Sequence, residues 1–255
     1  MTLLIALAAV VAVSAAVRST WSPCGLSMLS TITPMAERSR GRNWYTTAAW
    51  FVVGAVLGGA TLGLLAAALA ALVGLLSLTT TVALVSAAVL AVVGVGLDMG
   101  LLGTEMPHHR RQVDEVWLDQ YRSWVYGAGF GWQIGTGLAT YIMTAAVYLT
   151  VGLAALTGRP LVAFGLCVLF GLTRGLAIFL GVRLTDPERL RVFHRRFEAA
   201  GPTVKWTVIG VQAAVAIVAT AAVSPLAGAA IALLLGGATF ALRARVPRPV
   251  LHHVP

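Results

Sequence analysis

Stretches of about twenty apolar residues follow one another along almost the whole chain, long enough to cross the hydrocarbon core of a bilayer as helices. Backbone at that depth has no water to bond, so each stretch has to satisfy its own N–H and C=O groups. Composition agrees: 58% of the 255 residues are hydrophobic and only 11% are charged, where a soluble domain has about a quarter charged. The fold class expected is an all-α polytopic membrane protein with the lipid bilayer as its solvent. A net charge of +9 would suggest nucleic acid in a soluble chain. Here basic loops between spans account for it, and no nucleic-acid partner is expected.

The apolar runs place spans near residues 3–35 (broken), 46–76, 79–103, 125–156, 160–182, 204–223 and 226–242. Ser77 to Thr81, Gly158-Arg159-Pro160 and Ser224-Pro225 read as tight turns, and Arg183 to Lys205 as a long basic loop. Alternate loops hold 15 of the 18 basic residues, with Arg159 alone on the opposite side and Arg18 and Arg174 inside spans. The positive-inside rule then gives about seven spans in the cytoplasmic membrane, N-terminus outside and C-terminus inside. The last hairpin is short enough to be re-entrant instead. No basic region precedes the first apolar run, so it is expected to stay as a span and not to be a cleaved signal.

Three spans, a polar loop, three more spans and one extra helix suggest internal duplication. Trp21 to Thr33 (WSPCGLSMLSTIT) and Trp132 to Thr144 (WQIGTGLATYIMT) both open on Trp and end in Thr-rich sequence. An odd number of helices per repeat inverts the second copy, and inverted repeats with broken first helices put a site between them. The expected organisation is one transmembrane domain over 1–255: repeat one 1–103, a cytoplasmic loop 104–124, repeat two 125–223, and a C-terminal helix and basic tail 224–255.

The first span is interrupted by Trp21-Ser22-Pro23-Cys24-Gly25. Proline lacks an N–H and clashes with the preceding turn, so the helix breaks there. Cys24 is then either a reactive thiol at the break or a small buried hydrophobe beside it. Gln133 and Thr136 lie in the corresponding part of the fourth span, after Trp132.

The Ser22-Pro23-Cys24 motif, the basic loop that follows, and Trp50-Phe51-Val52-Val53-Gly54 opening a glycine-rich helix resemble the CcdA/DsbD transmembrane family over roughly residues 1–225. That resemblance implies two inverted three-helix repeats. It also implies thiol–disulfide electron transfer across the cytoplasmic membrane, thioredoxin-like partners and a part in cytochrome c maturation, with Cys24 as the first redox cysteine and Pro23 and Gly25 shaping its site. The fourth span departs from the family pattern, because Gly135 and Thr136 stand where a Pro-Cys pair is expected. Cys167 is the only other thiol. It is either the partner of Cys24, or a packing residue in Phe164-Gly165-Leu166-Cys167-Val168-Leu169 that leaves Cys24 to act alone. A thiolate in such a place needs positive charge nearby, and Arg18 is the closest in sequence.

Charges within apolar spans are functional suspects. Arg174 and Asp98 come out at similar depth, so an ion pair is expected, either fixing helix packing or holding an ion or anionic substrate. Gly54-Ala-Val-Leu-Gly58 and Gly127-Ala-Gly-Phe-Gly131 let helices approach closely. His108-His109 and His252-His253 read as solvated loop pairs, and no metal or cofactor is expected. Trp117, Tyr121, Trp124 and Tyr126 read as an interfacial belt. Two function classes remain: a thiol–disulfide carrier using Cys24 and Cys167, or a small-solute or ion transporter (or non-redox accessory membrane protein) with Gln133, Thr136, Asp98 and Arg174 along a polar path.

Overall fold

The computed structural model describes residues 1–101 and 120–245. Every element of regular structure among them is helical. The order is α1 (Thr2–Ser19), α2 (Pro23–Thr31), α3 (Pro34–Ser39), α4 (Trp44–Leu75), α5 (Thr80–Asp98), α6 (Ser123–Thr136), α7 (Ala146–Leu156), α8 (Pro160–Leu176), a 3₁₀ turn Ala177–Gly181, α9 (Pro187–Ala221) and α10 (Pro225–Arg245). Five of these segments, α1, α4, α5, α8 with its 3₁₀ extension, and α9, are long and apolar enough to cross a membrane. His108-His109, His252-His253, Trp117 and most of the loop 104–124 lie outside the described residues.

The 32 residues of α4 extend about 48 Å at 1.5 Å per residue and form the centre of the bundle, between α6 and α8. Glycine makes this packing possible. A β-carbon at Gly131 of α6 would press on the Phe51 carbonyl and come within 2.9 Å of Ala55 N, and one at Gly59 of α4 would lie 2.7 Å from the Cys167 carbonyl oxygen on α8. Gly54 and Gly58 meet the α6 backbone at Ala128 and Trp132 in the same way. The two small-residue motifs therefore face each other, backbone against backbone. Around this core, α5 packs on α9 and α7, and α1 packs on α7, α8 and α9.

Two parts of the chain differ from expectation. The segment 125–156 is two helices, α6 and α7, separated by nine irregular residues. Gly137 ends α6 with φ +70, and a β-carbon there would meet the Phe170 ring at 2.7 Å. Only glycine adopts that left-handed conformation at little cost. The expected loop Arg183 to Lys205 is instead the first half of α9, started by Asp186, whose side chain accepts from Arg189 N, with Pro187 in the first turn. That half docks onto the α1–α2 corner. Trp21 stacks on Phe197 at 4.2 Å and donates Nε1–H to the Phe197 carbonyl at 2.7 Å, while Ser30 Oγ and His194 Nε2 are 2.9 Å apart. Proline and a high density of arginine disguised a helix whose apolar residues Phe193 and Phe197 have a partner to cover them.

Candidate functional site

Most of the polar side chains buried in the bundle, Arg18, Ser22, Asp98, Thr140, Thr144 and Arg174 among them, lie at the two helix breaks. In the first break, α1 ends at Ser19 and α2 begins at Pro23, with the Ser22 side chain accepting from Gly25 N. Proline at the first helical position loses no intrahelical bond there, so Pro23 starts a helix and does not kink one. Gly25 lies under Thr20, whose carbonyl carbon would be 2.8 Å from a β-carbon at 25. In the second break, α6 ends at Thr136 and α7 begins at Ala146.

A helix end leaves four carbonyls without intrahelical partners and carries a partial negative charge. Arg174 meets two such ends at once. Its Nη1 donates to the Ile134 carbonyl in the last turn of α6 at 2.6 Å and to Thr140 Oγ1 at 3.4 Å, and its Nη2 donates to the Ser19 carbonyl that closes α1 at 3.3 Å. The guanidinium lies over the Phe170 ring at 5.8 Å and is 2% exposed. A cation placed against two helix C-termini is stabilised without a carboxylate.

Asp98, the last residue of α5, does the converse at the start of α7. Its Oδ1 accepts from Ala145 N at 2.7 Å, and its Oδ2 accepts from Thr144 Oγ1 and Gln212 Nε2, each at 2.6 Å. Thr144 Oγ1 in turn accepts from Ala146 N at 3.2 Å. An anion at a helix N-terminus bonds the orphan N–H groups and meets the positive end of the dipole. The expected Asp98–Arg174 ion pair is thus replaced by two separate helix-end contacts on opposite sides of one break. Arg18 lies within electrostatic range of Asp98, and Arg174 within range of Cys24. Among the described residues, Arg174 Nε and Gln212 Oε1 are the buried side-chain polar atoms with no hydrogen-bond partner.

The two thiols are not brought together. Cys24 packs with Met28, Phe51, Phe130 and Phe197, while Cys167 packs in the other apolar cluster with Leu62, Ala66, Leu166 and Phe170. Both are buried and neither forms a disulfide. Trp132 is 43% exposed on the bundle surface and donates to Thr61 Oγ1 at 3.1 Å. The Thr136 hydroxyl bonds back to the Trp132 carbonyl of its own helix at 2.7 Å, and Gln133 is half-buried.

Sequence reasoning missed Thr140, Thr144 and Gln212. A lone amide in the apolar run Val208 to Ala216 was the available signal for Gln212, and Gly135-Thr136-Gly137 was the signal for the second break. It also missed Glu37, read as part of a charged loop. Glu37 is fully buried, accepting from Thr47 Oγ1 at 2.6 Å and from the Tyr126 hydroxyl, and pairing with Arg40 at 3.3 Å. Tyr126 therefore leaves the expected aromatic belt, while Tyr121 and Trp124 remain exposed.

Comparison with known proteins fixes the lineage. The chain is 31% identical over 208 residues to methylamine utilization protein MauF of Paracoccus versutus, covering 80% of this chain and 75% of that protein. It is 30% identical over 193 residues to MauF of Methylophilus methylotrophus, covering 73% of this chain and 66% of that one. For MauF of Paracoccus denitrificans the figures are 30% over 191 residues, 73% and 68%. No protein-family model and no solved structure matches the chain. These relatives overturn the resemblance to the CcdA/DsbD family, which rested on Ser22-Pro23-Cys24 and helix order. The thiol–disulfide carrier and cytochrome c maturation fall with it, and these relatives give no support to thioredoxin-like partners. The transport reading has no support in these names, and the non-redox accessory membrane protein fits them best.

Proposed function

The chain belongs to the MauF family of methylamine utilization proteins, and on that premise we propose that it is a non-redox accessory membrane protein of methylamine utilization. The observation that carries this reading is the 31% identity extending over 80% of the chain. The buried, separated thiols support the non-redox part. The organisation that goes with it is one transmembrane domain of seven spans in the cytoplasmic membrane, N-terminus outside, with inverted repeats 1–103 and 125–223 and the extra helix in 224–255. The matching breaks α1/α2 and α6/α7, each in the first span of its repeat, support that duplication. Arg174, Asp98 and Arg18 then serve as the fixed points that hold broken backbone inside a bundle. Cys24, Pro23, Gly25, Cys167, Trp132, Gln133 and Thr136 serve packing and not chemistry.

Deleting the gene in the organism that encodes it tests the reading. Growth on methylamine is expected to fail while growth on ammonium is unchanged, with restoration by a plasmid copy. Undiminished growth of the deletion strain on methylamine would overturn the assignment.

A further inference from the structure

Beside the bundle core, a cavity of about 440 Å³ opens at the start of α4, between α3 and the 3₁₀ turn that follows α8. Arg38, Arg42, Asn43, Tyr45 and Thr185 supply its polar wall, and Trp44 part of its apolar one. Among the described residues no acidic side chain lines it. The nearest carboxylate in sequence, Glu37, is turned inward and held by Thr47, Tyr126 and Arg40. The described lining of the cavity is therefore basic, with Arg38 and Arg42 as its charged side chains. The two arginines differ in state. Arg42 is fixed, its Nη2 donating to the Tyr121 carbonyl at 3.1 Å and its guanidinium lying over the Tyr126 ring at 5.4 Å. Arg38 is exposed and bonded to no described residue.

Three further features lie around the cavity. It sits at the N-terminus of α4, whose Asn43 side chain caps only Tyr45 N, at 2.9 Å, so the positive end of the helix dipole faces it. Tyr45, in its wall, is 67% exposed, and two turns along α4 the exposed Trp50 lies 5.9 Å from the exposed Trp124. Aromatic side chains of this kind gather at the level of lipid headgroups. The basic first half of α9 is tied to the same end of the bundle, through Trp21 and Phe197 and through Met35 N donating to the Leu184 carbonyl at 3.4 Å.

We propose that this cavity binds a phosphodiester anion, presented by the headgroup of an anionic phospholipid in the leaflet that these arginines face. Guanidinium forks match phosphate oxygens in pairs, and basic pockets between helices at the cytoplasmic surface suit anionic headgroups. Trp44 and Val182 offer the apolar wall on which the glycerol and first acyl carbons lie. A carboxylate or free inorganic phosphate would leave that wall without use.

Native mass spectrometry of the purified full chain in detergent, titrated with phosphatidylglycerol, phosphatidylcholine or inorganic phosphate, tests this. The wild type is expected to retain one phosphatidylglycerol in preference to phosphatidylcholine. Arg38→Gln is expected to weaken that retention roughly fivefold, the effect of one interfacial arginine, and Arg195→Gln, an equally exposed charge on α9, to leave it unchanged. Unchanged lipid-free melting of Arg38→Gln shows that the variant is folded. Equal retention of the two lipids, no loss in Arg38→Gln, or the same loss in Arg195→Gln overturns the proposal. Displacement of the lipid by excess inorganic phosphate assigns the cavity to the free anion and overturns the headgroup assignment.

Discussion

Replacing Gly131 by alanine tests the backbone-to-backbone packing of α4 and α6 most sharply. A β-carbon at 131 would press on Phe51 O and come within 2.9 Å of both Phe51 C and Ala55 N. Carbon contacts are comfortable at about 3.5–4.0 Å, so α6 and α4 must part by about 1 Å. Neither side has a flexible tip to yield, because all three atoms are backbone. Overpacking of this kind costs about 1–3 kcal/mol, against a helix-propensity gain for Gly→Ala of up to about 1 kcal/mol. Gly165→Ala on α8 supplies the control, since a β-carbon at 165 meets nothing within 4 Å. The propensity gain is common to both variants and cancels. Equilibrium unfolding of the purified protein in mixed micelles is expected to find Gly131→Ala less stable than Gly165→Ala by about 1–3 kcal/mol. Equal stabilities would refute close packing at this crossing.

Asp98→Ala removes the acceptor of Ala145 N, Thr144 Oγ1 and Gln212 Nε2, at about 1–3 kcal/mol for each buried donor left unpaired, and amide exchange at the start of α7 is expected to rise. A double-mutant cycle of Asp98→Asn and Arg174→Gln is expected to be additive within about 0.5 kcal/mol, because the two charges hold different helix ends; a coupling well above that would restore the ion pair. Maleimide is expected to leave Cys24 and Cys167 unmodified in native membranes and to label both after SDS without prior reductant, since both are buried and neither is in a disulfide; a requirement for reductant would contradict this.

The five long apolar helices were legible because a bilayer imposes one length and one polarity on every helix. The helix packing was legible as well, since Gly54, Gly58, Gly127 and Gly131 can serve close approach only if they face another helix. The break at Pro23 was visible because proline has one steric consequence. The break at Gly137 was not, because glycine within an apolar helix reads equally as a packing residue, and its φ of +70 is set by the ring of Phe170 and by Arg174 across the bundle. The first half of α9 was hidden for a related reason: a basic amphipathic segment becomes a helix against a surface, and that surface comes from Trp21 and Ser30 far away in sequence. The buried charges were singled out and paired wrongly. Sequence marks Asp98 and Arg174 as charges within apolar helices, but a buried helix end is itself a charged partner, and such ends appear only once both breaks are known. Ser22-Pro23-Cys24 was over-read, since a thiol beside a helix start has the same sequence whether it reacts or packs.

The proposed role in methylamine utilization needs no thiol chemistry. The most direct measurement is growth on methylamine of the deletion strain carrying the Cys24→Ser, Cys167→Ser double variant, with its membrane level matched to wild type. The account predicts growth equal to that with the wild-type gene. Failure to grow at matched protein level would contradict it.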